Sequence, residues 1–187
     1  MTLDPAQELL ERYGDQLRAK ISSKFSASTF LAGFASTILG GLLSDIWSHD
    51  HGTPVLFPQV LALTVVATVL FFHGVVRLDE LSMPKRFWPG RSEAANRAAD
   101  VGLLTQDDLW ALHDRMVFYW RYLTMSGTAA TGIAFLVFIL PQRVEATGPP
   151  QYGTVLWAAS GALLAFLYAR LLDRTAPYRG KLIRPID

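Results

Sequence analysis

The chain has 187 residues, of which 51% are hydrophobic and 18% are charged, and its formal net charge is +1. An ordinary soluble domain is about one quarter charged, so this chain is unusually poor in charge. A net charge near zero gives no general attraction for nucleic acid, and the absence of cysteine excludes disulfides and thiolate metal sites.

Four long apolar segments separate the stretches in which the charged residues are concentrated. We place membrane spans at about residues 26–47, 54–76, 122–140 and 152–169. Each has about the 20 residues that a helix needs to cross ~30 Å of hydrocarbon. The sequence therefore predicts an all-α polytopic membrane protein with a bundle of four transmembrane helices.

The first 25 residues predict an amphipathic cytoplasmic helix that leads into the first span. Asp4 and Pro5 are typical of a helix start. Apolar residues then recur at three- and four-residue steps, and charged residues occupy the other faces. The recurring apolar residues are Leu10, Tyr13, Leu17 and Ile21.

The first span carries two adjacent rows of residues with little side-chain bulk. They are Ser28, Ala32, Ser36 and Gly40, and Gly33, Thr37 and Gly41. In lipid, small residues at a four-residue spacing allow helices to approach closely. Two interpretations stay open: this span is the packed centre of the bundle, or it faces copies of itself around an axis and lines a pore.

Acidic residues follow at the outer end of the first span. Asp45 lies at the end of the apolar segment, and Asp50 lies between His49 and His51. A carboxylate beside a span is a candidate functional residue, and a ring of Asp45 in a symmetric oligomer would attract cations. The alternative is an interfacial aspartate in contact with the outer solution. Asp50 and its histidines are too few to predict a metal site.

The second span, residues 54–76, consists largely of bulky aliphatic and aromatic residues, so we expect it to face lipid. His73 is its single ionisable residue. We predict a gating or structural contact for His73, with Asp79 or Glu80 as nearby partners. Haem ligation would need a second histidine at the same depth, and the remaining candidate, His113, precedes the third span. We therefore predict no cofactor.

A cytoplasmic segment, residues 77–121, separates the two transmembrane hairpins, residues 26–76 and 122–169. Its second part predicts an amphipathic helix that leads into the third span and has Leu109, Leu112 and Met116 on one face. Spans three and four again contain small residues, so they are expected to pack closely. Residues 170–187 are expected to form a cytoplasmic tail.

The distribution of lysine and arginine predicts the orientation in the membrane. Sixteen of the 17 basic residues lie before the first span, between spans two and three, or after the fourth span; only Arg143 lies in the loops on the other side. Because cytoplasmic loops are rich in lysine and arginine, both termini and residues 77–121 are expected in the cytoplasm, with the chain in the cell (inner) membrane.

Four features occur together in the first third of the chain: a basic run, a small-residue step in the first span, acidic residues at its outer end, and a proline that opens the second span. They are Arg18, Lys20, Ser22, Ser23 and Lys24; Gly33, Phe34 and Ala35; Asp45 and Asp50; and Pro54. In these features and in its four-span layout the chain resembles the Orai family of calcium channels. That resemblance implies cytoplasmic ends and a first span that lines a hexameric pore. The chain departs from the family at the selectivity-filter glutamate, where it has Gly40 and Gly41, so a calcium filter is not carried over.

Conventional enzyme motifs are missing from the sequence. It has no Ser/His/Asp set at a plausible depth, no glycine-rich phosphate loop and no HExxH motif, so we expect no enzymatic activity.

The leading hypothesis is a small homo-oligomeric pore or cation-channel-like protein with the first span near the axis. The alternatives are a non-catalytic accessory or assembly subunit of a larger membrane complex and, third, a membrane-disrupting effector. The expected partners are the lipid bilayer and copies of the chain or other membrane proteins, without nucleic acid.

Overall fold

A computed structural model of the protein describes residues 5–48, 53–54, 56–82, 106–139, 144–145 and 152–176. Within these residues the chain is helical, apart from a turn residue and one pair of two-residue strands. The elements are α1 (Pro5–Ser48), β1 (Thr53–Pro54), α2 (Phe57–Ser82), α3 (Gln106–Tyr119), a π-helical turn (Trp120–Thr124), α4 (Met125–Ile139), β2 (Val144–Glu145) and α5 (Tyr152–Thr175). The π-helical turn joins α3 and α4 into one continuous helical run, residues 106–139.

Four helical stretches are long and apolar enough to cross a membrane: Arg12–Ser44, Phe57–Ser82, Leu109–Ile139 and Gly153–Thr175. The prediction of an all-helical chain with four such helices is confirmed. Helices α2 and α5 continue beyond the apolar segments, which end near residues 76 and 169, to Ser82 and Thr175. The first charged residues after the second and fourth apolar segments therefore lie on regular helix.

Helix α2 lies at the centre of the bundle. In its most apolar stretch 44% of the residues are buried, against 17% in α1, 28% in the α3–α4 run and 22% in α5. The expectation that the second span is the one that faces lipid is therefore wrong, because it is the most buried of the four. The bulky side chains of α2 are buried because its three neighbours present small residues to it, and such pairs fill space well.

The contacts of α2 give the directions of its neighbours. Ala32 and Ala35 of α1 share a buried cluster with Ala67 and Phe71 of α2 and with Ala130 of α4. Further along, Leu17 and Ile21 of α1 pack near Leu78 and Leu81 of α2. Because the numbers rise along α1 as they fall along α2, these two helices are antiparallel.

Helix α5 runs parallel to α2. Gly161, in the first half of α5, lies against Ala62 and Val66, in the first half of α2. Asp173, near the end of α5, bonds with Arg77, near the end of α2. The two helices thus end side by side, and we call this part of the bundle its charged end.

The charged end also contains the predicted helices that precede spans one and three. Leu17 and Ile21 of α1 and Leu109, Leu112 and Met116 of α3 are buried together there. Tyr13, predicted on the same apolar face as Leu17, is 48% exposed, and the side chain of Leu10 lies outside the described residues.

The opposite end of the bundle is closed by the strand pair. Strands β1 and β2 are antiparallel, with Thr53 opposite Glu145 and Pro54 opposite Val144. Pro54 lies in this strand and does not open the second span, which is a correction to the sequence-based expectation. Helix α2 begins at Phe57, and Pro58 occupies its first turn, where the missing N–H of proline has no helical partner to lose.

Candidate functional site

A cluster of ionisable residues links α2 to α5 at the charged end. Arg77 makes a two-pronged contact with Asp173: Nε donates to Oδ1 at 2.9 Å and Nη2 donates to Oδ2 at 2.5 Å. Its third nitrogen, Nη1, donates to Oε2 of Glu80, one turn away on α2, at 2.5 Å. Two parallel bonds between a guanidinium and a carboxylate are among the strongest polar contacts in proteins.

His73 belongs to the same cluster. Its Nε2 donates to the Asp173 carboxylate, at 3.2 and 3.3 Å from the two oxygens. Its partner therefore lies on α5, whereas the sequence had suggested Asp79 or Glu80. Glu80 is bonded to Arg77 instead, and Asp79 is exposed. We call His73, Arg77, Glu80 and Asp173 the α2–α5 clamp.

The clamp is shielded from solvent in this chain. The side chains of Asp173, Arg77 and His73 are 12%, 18% and 19% exposed. The buried Tyr119 of α3 lies close enough to the clamp to interact electrostatically with Asp173, Arg77 and Glu80, and it interacts in the same way with the buried Arg115. Charges removed from water are costly unless they are paired, so the clamp holds α2 and α5 in one register.

Sequence reasoning missed the clamp because Asp173 is far along the chain from His73 and Arg77 and was assigned to a tail. One signal was available. Arg77 and Asp173 each follow closely on an apolar span, and a helix has no reason to stop at the first charged residue.

Within the described residues, no group of three or more histidine, aspartate or glutamate side chains is arranged to hold a metal ion.

The small residues of the first span lie on two different faces of α1. Ser28, Ala32 and Ala35 are buried against neighbouring helices, whereas Gly33, Thr37, Gly40 and Gly41 are exposed and Ser36 is intermediate. A helix turns about 100° per residue, so a row at four-residue spacing drifts by about 40° per step. The row that starts at the buried Ser28 therefore reaches the exposed side at Gly40.

The exposed residues Gly33, Thr37, Gly40 and Gly41 form what we call the open face of α1. A Cβ atom built at any of its three glycines would meet no atom within 4 Å. The Thr37 hydroxyl donates to the carbonyl of Gly33 at 3.0 Å, so its hydrogen is used within the helix. Among the residues that the structure describes, none packs on these glycines.

The outer surfaces of α4 and α5 have a different composition. Their exposed residues are mostly large and apolar, and they include Ile133, Phe135, Leu136 and Phe138 on α4, and Val155, Leu156, Leu163, Leu164 and Leu167 on α5. Such side chains suit lipid hydrocarbon. The open face of α1 offers glycine and threonine, although the large side chains of Phe30 and Phe34 are exposed beside them.

The buried face of α1 is joined to the junction of α3 and α4. The hydroxyls of Ser28 and Thr124 are hydrogen-bonded at 2.9 Å and are buried. Nearby, Nζ of Lys24 lies 4.2 Å from the centroid of the Trp120 ring. Trp120 and Thr124 are the first and last residues of the π-helical turn, a type of irregularity that is frequent at functional sites.

A large apolar groove lies between α1, α2 and α4 and has a volume of about 1010 Å³. Phe34 and Ile38 of α1 and Phe135 and Phe138 of α4 form its walls. The threonine hydroxyls in its lining, those of Thr64, Thr128 and Thr131, donate to carbonyls of their own helices. The groove therefore offers space for apolar groups and little chemistry for catalysis.

The acidic residues predicted to attract cations are only partly described. Asp45 belongs to helix α1, but its side chain lies outside the described residues, as does the whole of Asp50. Their role stays a prediction.

No protein-family model, curated protein or solved structure matches this chain.

Proposed function

We propose that this chain is an integral membrane protein that assembles with copies of itself and forms a cation-conducting pore with α1 nearest the axis. The observation that carries this proposal is the open face of α1, whose glycines are not covered by any of the described helices. The proposal includes termini in the cytoplasm, because the basic residues lie almost entirely on that side of the predicted topology.

The membrane setting is supported by the large apolar side chains on the outer surfaces of α4 and α5. A soluble monomer rarely exposes contiguous apolar surface of this kind, because it would associate or aggregate in water. In a bilayer the same surface is in contact with hydrocarbon. Four helices of sufficient length and apolar composition agree with this setting.

The position of α1 at an axis is supported by the physics of helix association in lipid. Without a hydrophobic driving force, membrane helices associate where small residues allow their backbones to approach. Gly33 and Gly40 offer such an approach on the side of α1 that faces away from α2. Since none of the described helices covers them, we propose that another copy of the chain does.

The cation preference is assigned to Asp45. In a ring of subunits, one carboxylate from each at the outer end of α1 would concentrate cations at the mouth of the pore. The resemblance to the Orai family suggests the same use of the first span. The glycines at positions 40 and 41 mean that a calcium filter of that family is not proposed here.

Assembly is tested by native mass spectrometry of the purified full chain and of two variants, Gly40→Leu and Ser160→Leu. A Cβ at position 40 meets no described atom within 4 Å, so we expect the subunit with leucine there to fold, but the side chain blocks close approach at the open face. Ser160 is exposed on α5, so leucine there is a matched control. We expect a defined ring for the wild-type chain and for Ser160→Leu, and an association at least ten-fold weaker for Gly40→Leu.

A wild-type chain that stays monomeric, or that purifies only with other polypeptides, would contradict the proposal and favour an accessory subunit.

Conduction is tested by ion flux in liposomes that contain Asp45→Asn, with Asp15→Asn as control, since Asp15 is an exposed acid at the other end of α1. We expect Asp45→Asn to lower the preference for cations over anions several-fold. An unchanged preference would exclude the role of Asp45.

A further inference from the structure

A second, smaller groove lies between α2 and α5, on a different side of the bundle from the groove beside α1. Its volume is about 330 Å³. Its lining is apolar except for one threonine and one histidine. The lining residues are Thr68, Val69, Phe72, His73, Val76, Phe166 and Ala169. Phe72, Val76 and Phe166 are about half exposed, so the groove opens to the surroundings of the bundle.

Two arginines follow this groove along α5. The guanidinium carbon of Arg170 lies 5.2 Å from the centroid of the Phe166 ring, which places its charge at the edge of the groove. Arg174 is one helical turn further on, and both arginines are exposed. Along the helix axis they lie about 6 and 12 Å beyond Phe166.

These two charges differ from those of the α2–α5 clamp. Arg77 is bonded within the clamp to two carboxylates, those of Asp173 and Glu80. In the part of the chain that the structure describes, no salt bridge joins Arg170 or Arg174 to a carboxylate. Arg170 at the edge of the groove and Arg174 one turn beyond it are therefore available to an anion from outside.

We propose that this groove binds an anionic phospholipid, with one acyl chain along the groove and the phosphate at Arg170 and Arg174. The apolar lining suits the acyl chain, and guanidinium groups bind phosphate through two parallel hydrogen bonds. Long arginine side chains lie along apolar surface while their charge reaches the headgroup layer, which extends about 5 to 7 Å beyond the hydrocarbon. The inference rests on the membrane setting of the proposed function but not on assembly or conduction.

The test is native mass spectrometry of the full chain, mixed with equal amounts of phosphatidylglycerol and phosphatidylcholine that have the same acyl chains. We expect the wild-type chain to retain phosphatidylglycerol preferentially. The double variant Arg170→Gln/Arg174→Gln should lower that preference by about five-fold for each arginine. Both positions are exposed, so the variant should fold as the wild-type chain does.

Further variants distinguish a specific lipid site in this groove from a general attraction between the basic protein surface and anionic lipid. Arg12→Gln/Lys20→Gln removes two exposed cations from α1 and should leave the preference within about two-fold, because the effect of a basic residue is local. Thr68→Phe, or Val76→Phe at the more exposed wall, fills the groove and should reduce retention of both lipids.

Three results would overturn the proposal: an unchanged preference in the Arg170/Arg174 variant, an equal loss in the α1 control, or undiminished lipid retention in both groove-filling variants. Lipid is counted per polypeptide, whatever the state of assembly. A monomeric chain that retains phosphatidylglycerol would therefore refute the assembly proposal and support this one.

Discussion

The buried and open faces of α1 are both built from small residues, but their surroundings are opposite. On the buried face, Ala35 is fully covered and Ser28 bonds with Thr124. On the open face, Gly33 and Gly40 have no atom within 4 Å of a built Cβ. Small residues thus indicate that a helix can be approached closely, but they do not indicate which surface approaches it. Among the described residues, only the buried face of α1 is covered by neighbouring helices.

The glycines on the helices around α2 extend this contrast. A Cβ at Gly127 of α4 would lie 2.8 Å from a ring carbon of Phe71, and one at Gly161 of α5 would lie 3.0 Å from the carbonyl oxygen of Ala62. The first distance is too short for a real Cβ atom, and the second is tighter than most Cβ contacts in proteins. Substitutions at the core around α2 should therefore destabilise the subunit, whereas those on the open face of α1 should act on assembly without destabilising the subunit.

The largest effect is expected at the clamp. Asp173→Ala removes the carboxylate that binds Arg77 and His73, and we expect it to lower the free energy of unfolding by about 3 kcal/mol, because Arg77 keeps one of its two carboxylate partners, the more exposed Glu80, and loses the two-pronged contact. Unfolding by sodium dodecyl sulfate in mixed micelles measures the change. Asp79→Ala, at an exposed site of α2, is the control and should cost less than ~0.5 kcal/mol.

A second variant separates charge from packing at the clamp. Arg77→Met/Asp173→Leu replaces the ion pair by apolar groups and should recover most of the loss, because both charges are removed together. Equal losses for Asp173→Ala and Asp79→Ala would mean that the clamp does not hold α2 and α5 together.

A smaller loss is expected at the contact between α4 and α2. Gly127→Ala forces the buried ring of Phe71 to move, and we expect the free energy of unfolding to fall by about 2 kcal/mol. The same titration measures it, and Gly127→Ser should behave similarly because it adds the same Cβ. A neutral result would show that the core around α2 is looser than these distances indicate.

The buried face of α1 should show a loss of about 1 kcal/mol in Ser28→Ala, because the hydroxyl of Thr124 loses its buried partner. Ser26→Ala is the matched control. Ser26 is exposed and bonds only with the carbonyl of Ser22 in its own helix, so its loss should be close to zero. If the two variants behaved alike, the contact between α1 and the π-helical turn would contribute nothing to stability.

The smallest effect, of opposite sign, is expected on the open face. Gly33→Ala should raise the free energy of unfolding of the dissociated subunit by about 0.5 kcal/mol, because alanine costs less backbone entropy in a helix and the added methyl meets nothing. The measurement is made in detergent at a protein concentration at which the subunits are separate. A loss of stability there would mean that Gly33 packs within the subunit.

Local properties of the sequence were sufficient to predict the helices. Whether a segment can form an apolar helix of spanning length depends on its own residues, so the four helices could be read from charge-free segments. The apolar residues Leu109, Leu112 and Met116 were predicted on one face for the same reason, and all three are buried.

Only the tertiary structure decided which surfaces meet. Helix α2 was expected to face lipid because its residues are bulky, but its three neighbours offer small residues that receive those side chains. The row from Ser28 to Gly40 was taken as one face, yet the 40° drift at each step carries it from the buried side to the open side. The contact of Arg77 and His73 with Asp173 depends on two parallel helices that end at the same level, which no local pattern encodes. Helix formation depends on near neighbours in the chain, whereas the partner of each face depends on how all the helices share the available space.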